Sequence, residues 1–125
     1  MKAWRRSPVW GCALLPLLVA AAAAWGHAVL LRSAPANRAV LSQPPARVEL
    51  WFSERIEPVY ARLTVEDPGG TRVDNGEVTV DPDDPRKVSV ALGTLAPGHY
   101  TVRYRVLSVD GHIVESQLAF TVRGR

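Results

Sequence analysis

Beyond its first 26 residues this chain contains no cysteine and no methionine, since the only Cys is Cys12 and the only Met is Met1. That absence excludes disulfide staples, thiolate metal sites, cysteine nucleophiles and soft thioether ligands together. Long apolar runs are missing too. The longest, Ala13–Ala24, has 12 residues and is interrupted by Pro16, whereas a helix crossing a bilayer needs roughly 20. No later stretch repeats apolar residues at helical spacing over a helical length. Tryptophan is also scarce, with only Trp51 of the four lying past residue 26.

What stands at the N-terminus has the pattern of an export signal. Lys2, Arg5 and Arg6 precede the apolar stretch, and Ala24-Trp25-Gly26 puts small residues at −3 and −1 of a cut after Gly26. Residues 1–26 are therefore expected to be a cleaved signal peptide and residues 27–125 the mature domain. Cys12 precedes the apolar stretch, where a lipidated Cys would have to follow it. Cleavage leaves 12 of the 15 Lys and Arg against 12 Asp and Glu, so the net charge of +3 belongs to the leader. A neutral mature chain lacks the basic footprint that phosphate backbones require, which argues against nucleic acid as a partner.

The remaining chain, of about 100 residues, suffices for one domain with a single core. Val48, Leu50 and Phe52 alternate with Glu49, Trp51 and Ser53, the period of a half-buried strand. Tyr60 to Glu66 repeats the pattern with Ala61, Leu63 and Val65 inward. Val78 and Val80 suggest a short strand, and Val88, Val90 and Leu92 another. The longest alternating run sets Tyr100, Val102, Tyr104 and Val106 on one face, against Thr101, Arg103, Arg105 and Leu107. A last strand is expected over about Glu115 to Val122. Residues 27–45, with Pro35, Asn37, Pro44 and Pro45, read as irregular after a short apolar run. About seven strands with turns such as Asp67-Pro68-Gly69-Gly70 between them indicate an all-β sandwich or small barrel.

Two features carry chemistry. Cleavage after Gly26 would make His27 the mature N-terminus, offering its α-amine and ring Nδ1 to one metal ion. Near the other end, Asp110-Gly111-His112 places a carboxylate and an imidazole two residues apart. They share a side if the segment is extended, and Gly111 also permits a tight corner. Should the fold join the two ends, the set is three nitrogens and one oxygen, which suits tetragonal Cu(II). Zn(II) could use the same donors, and an Asp-Gly turn with a surface His is the bland alternative. His99, after Pro97-Gly98, reads as an exposed turn residue.

The mature chain resembles the CopC family of periplasmic copper-binding proteins over nearly its whole length. The matching stretches are His27-Ala28 through Ser33-Ala34-Pro35-Ala36, Val48 to Glu54, Pro97 to Val102, Ser108-Val109-Asp110-Gly111-His112, and Phe120-Thr121-Val122. The resemblance implies a Greek-key, immunoglobulin-like β-sandwich with a Cu(2+) site at one end. It implies His27, Asp110 and His112 as ligands, and Glu54 as an axial or outer contact. It also implies a periplasmic location and a CopD-type inner-membrane partner. Two departures stand out. A mature chain without Met cannot build the methionine-rich Cu(I) loop of many members, which narrows the expectation to Cu(II). After His112, Ile113, Glu115 and Ser116 replace the Pro and Gly often found there.

The expected function is therefore copper buffering, resistance or delivery by a monomer without turnover. Two competitors differ in class. A histidine-brace monooxygenase would need an open copper face, yet Asp110 would occupy the position oxygen requires. A metal-free immunoglobulin-like interaction module would be indifferent to the N-terminal residue. Mass spectrometry of the exported protein should show a chain beginning at His27; any other start removes the amine ligand.

Overall fold

A computed structural model describes Ala3, Trp4, Ser7, Gly11 and residues 28–124. His27 and most of the proposed signal peptide lie outside the described residues. Eight strands follow in order: β1 (Leu30–Ala34), β2 (Ala39–Leu41), β3 (Arg47–Phe52), β4 (Arg62–Glu66), β5 (Thr79–Val80), β6 (Lys87–Ala91), β7 (Gly98–Leu107) and β8 (Ile113–Val122). They form two four-stranded sheets, ordered β1-β3-β6-β5 and β2-β8-β7-β4. The fold is an all-β, immunoglobulin-like sandwich.

Period-two patterning makes these strands because it lets each bury one face. Val48, Leu50 and Phe52 of β3, Leu63 and Val65 of β4, and Val88 and Val90 of β6 are all buried. On β7 the inward set is Tyr100, Val102, Tyr104 and Val106. Phe52 meets Tyr104 edge-on at 5.6 Å, and Tyr100 stacks on Phe120 at 5.3 Å between ring centroids. The Tyr100 hydroxyl donates to the Ala96 carbonyl four residues upstream. This is the tyrosine corner of Greek-key sandwiches, in which a core ring ties down the turn entering its own strand.

Three sequence expectations need correction. Residues 27–45 are not irregular throughout, since β1 and β2 lie there. β1 carries a register shift between Leu30 and Arg32 that breaks its alternation. The three residues of β2 pair parallel to the end of β8, through Ala39 opposite Phe120 and Leu41 opposite Val122. The strand expected from Tyr60 begins only at Arg62, because Pro58–Tyr60 is a 3₁₀ turn with Pro at its start. Ala61 is nonetheless buried as expected. The last strand starts two residues earlier than read, with Ile113 already opposite Leu107.

Replacing Tyr100 by Phe keeps the ring and leaves the Ala96 carbonyl without its donor. Urea unfolding of Tyr100→Phe should show a loss of about 1–2 kcal/mol with an unchanged m-value.

Candidate metal centre

The segment between β3 and β4 crosses one end of the sandwich from the first sheet to the second. Its first part is bound to the beginning of the described domain. Val29 N–H donates to Ser53 Oγ at 2.8 Å, and Ser53 N–H donates to the Val29 carbonyl at 2.8 Å. Its later part is bound to the end of β7. Val109 N–H donates to the Arg55 carbonyl at 2.9 Å, Glu57 N–H donates to the Leu107 carbonyl at 2.8 Å, and Ile56 bridges to Ser108. Residues 28–29, 53–57 and 107–109 thus lie side by side at one end, with Ala28 buried.

The β7–β8 hairpin closes at the same end. Gly111 N–H donates to the Ser108 carbonyl, and Ser108 N–H donates to the His112 carbonyl, both at 2.9 Å. Gly111 has φ +92°, a conformation that costs an L-residue with a Cβ about 1–2 kcal/mol. A turn ending in a left-handed glycine is the usual three-residue hairpin connection. Asp110 and His112 therefore come together by a tight corner and not by extension. His112 Nδ1 lies 3.3 Å from Asp110 Oδ2, and each side chain is about a third exposed or less.

Ser108 holds this corner. It is almost fully buried, at 1% exposure. Its hydroxyl donates to Asp110 Oδ1 and accepts from His112 N–H at 3.3 Å. The Ser108 hydroxyl, followed by the His112 ring, holds the Asp110 carboxyl below its usual range. At neutral pH the corner presents an ionised oxygen donor beside an imidazole, both suited to a borderline metal ion.

Sequence reading gave Ser108 no role, although a signal was available. The inward phase of β7 through Tyr100, Val102, Tyr104 and Val106 lands next on residue 108. A hydroxyl on an inward phase has to find partners, and here they are the two candidate ligands.

The other candidates divide. Glu54 sits half-buried on the crossing segment, between Ser53 and Arg55. Among the described residues no three His, Cys, Asp or Glu side chains gather as a metal site. His99 is exposed at the opposite end of β7, about 30 Å along the strand from the corner. Its Nδ1 is 2.7 Å from Thr121 Oγ1. Among the described residues no helix is long and apolar enough to cross a membrane.

With this geometry established, comparison with known proteins identifies the family. The CopC domain model matches residues 30–123. The chain belongs to the CopC family. It is similar to the crystal structure of CopC from Methylosinus trichosporium OB3b, with a TM-score of 0.72 and 35% identity. That match covers 77% of this chain and 93% of the other. It is 29% identical over 124 residues to protein YobA of Escherichia coli strain K12, covering 98% of this chain and all of that one. It is 28% identical over 119 residues to copper transport protein CutJ of Bacillus subtilis strain 168, covering 94% of this chain but 22% of CutJ. Membership makes this a copper-related protein, and the expected fold and family both hold.

If the Ser108 hydroxyl aligns the corner, Ser108→Ala should weaken copper binding about 10–100-fold, as loss of a residue supporting a ligand does. Chelator-competition titration measures this, and circular dichroism should show the sandwich intact.

Proposed function

We propose that the mature protein is a periplasmic Cu(II) carrier that buffers copper or hands it to a membrane partner, without turnover. The observation that carries this reading is the Asp110–His112 pair, clamped by Ser108 at the end where Ala28 and Val29 are pinned. The residue before Ala28 is His27, which becomes the N-terminus if export cleaves after Gly26. Its α-amine and Nδ1 would join the His112 ring and the Asp110 carboxylate as three nitrogens and one oxygen.

The donor chemistry selects the oxidation state. Nitrogen and ionised oxygen suit Cu(II), while Cu(I) prefers the thioethers and thiolates that the chain lacks beyond residue 26. A chelate from one residue also loses less freedom than two independent ligands would. Glu54, on the segment that joins the two halves of the site, serves as an axial or outer carboxylate. Delivery fits the relation to CutJ, a copper transport protein in which the matched stretch is 22% of the chain. A CopD-type inner-membrane protein is the proposed recipient, and the carrier acts as a monomer.

Cu(II) titration of the mature protein under chelator competition tests the site. One equivalent should bind, and His112→Ala should lose more than about 100-fold in affinity, beyond the usual effect of a supporting residue. Affinity should fall as pH drops below about 7.7–8.0, the reference range of the α-amine, because bound nitrogen must give up its proton. Unchanged affinity in His112→Ala would remove the proposed ligand set.

A further inference from the structure

The end that carries Asp110 and His112 also gathers exposed apolar side chains. Among the exposed large apolar side chains of residues 28–124, Leu31 and Val40 lie on the edge strands β1 and β2. All the others, Val29, Val59, Tyr60, Val109 and Ile113, surround the end that carries Asp110 and His112. Scattered apolar residues are ordinary, but a cluster beside a functional corner marks a contact surface. Tyr60, Leu107 and Ile113 line a depression of about 280 Å³ there, with Arg105 at its edge.

Arg105 also lines a second depression, of about 420 Å³, on the outer face of the second sheet. The two share Arg105 as a lining residue. The second is lined by three exposed arginines, Arg62, Arg103 and Arg105, together with Glu115. Arg62 stands directly opposite Arg105 in the β4–β7 register, where like charges destabilise a sheet. Arg103 reaches the partly covered Glu66 only at 3.6 Å and Arg105 the exposed Glu115 only at 3.8 Å, and Arg62 has no ion pair among the described residues. On a chain whose residues 27–125 balance 12 basic against 12 acidic groups, this face sets three arginines against Glu66 and Glu115, and Arg62 is the positive charge left over.

We infer that this strip, from the apolar rim at the corner down the arginine face, is the docking surface for an acidic segment of a protein partner. The spacing defines the segment. Arg103 and Arg105 point the same way about 6.6 Å apart along β7, and Arg62 lies about 5 Å across from Arg105. An extended chain with carboxylates at alternate positions has the same 6.6 Å repeat. An apolar residue at the end of such a segment would enter the Tyr60–Ile113 depression beside the metal corner. The inference rests on the proposed function only for the partner's role as copper recipient, since the surface itself is read from charge and shape.

The test uses the mature, metal-free protein and a fluorescein-labelled peptide, Asp-Thr-Asp-Thr-Asp-Gly-Leu, followed by anisotropy at low salt. Binding should fall steeply as salt rises. It should weaken tenfold or more in Arg62→Thr/Arg105→Thr and several-fold in Ile113→Ser. The same peptide with Asn for Asp should not bind. Relief of the like-charge pair should also raise the melting temperature of Arg62→Thr by about 2–4 °C, which separates lost recognition from lost folding. Equal binding of the Asp and Asn peptides, or unchanged binding in the double variant, would overturn the inference. So would preference for phosphatidylglycerol vesicles over the Asp peptide. Because metal is absent, failure here would leave the copper reading standing.

Discussion

The crossing segment from Ser53 to Glu57 is the constraint on which the Asp110–His112 end depends. It runs between the two sheets and exchanges backbone hydrogen bonds on both sides, with Val29 on one and with Leu107 and Val109 on the other. A sandwich without disulfides has no covalent tie between its ends. Here the backbone ladder supplies one, and it fixes the start of the domain against the hairpin corner. Because Ala28 and Ile56 are buried in the same core, slippage of either segment would expose apolar surface as well as break the ladder. The site is therefore held by the core, and its rigidity comes from elements that carry no metal chemistry.

Within that frame the corner is made by local means. Gly111 supplies the left-handed turn, and Ser108 supplies a buried hydroxyl that meets both candidate ligands. The cost of burying that hydroxyl is offset by its hydrogen bonds, which also orient the Asp110 carboxylate and fix the His112 backbone before any ion arrives. Such preorganisation reduces the ordering that binding would otherwise require. It also leaves the corner exposed enough for exchange, with the Asp110 and His112 side chains about a third exposed or less. A site that is firmly built yet open at its rim suits a carrier better than a store.

Much of the fold was legible because its strands bury one face. The alternation in β3, β4, β6 and β7 follows directly from inward residues such as Leu50, Leu63, Val90 and Val102. β1 and β2 were hidden for physical reasons. One has a register shift that breaks its period, and the other has three residues whose partner, β8, lies some 80 positions away. Tyr60 fell outside its expected strand because Pro58 sets a turn first. At the site, Asp110 and His112 could be read as a pair from their spacing, although the geometry that joins them is a turn. Ser108 was quoted within the matching stretch but given no role, because its inward position appears only when the phase of β7 is followed one step further. Glu54 rested on family likeness alone, and the described residues give it a place on the crossing segment.

The central claim is that export creates half of the ligand set by freeing the amine of His27, while the sandwich holds the other half ready. Electron paramagnetic resonance of the Cu(II)-loaded protein tests this most directly, comparing a chain that begins at His27 with one extended by a single alanine. The account predicts a tetragonal Cu(II) signal with nitrogen superhyperfine structure in the first, and a changed signal with fewer coupled nitrogens in the second. Identical spectra from the two chains would show that the amine is not a ligand, and would contradict the account.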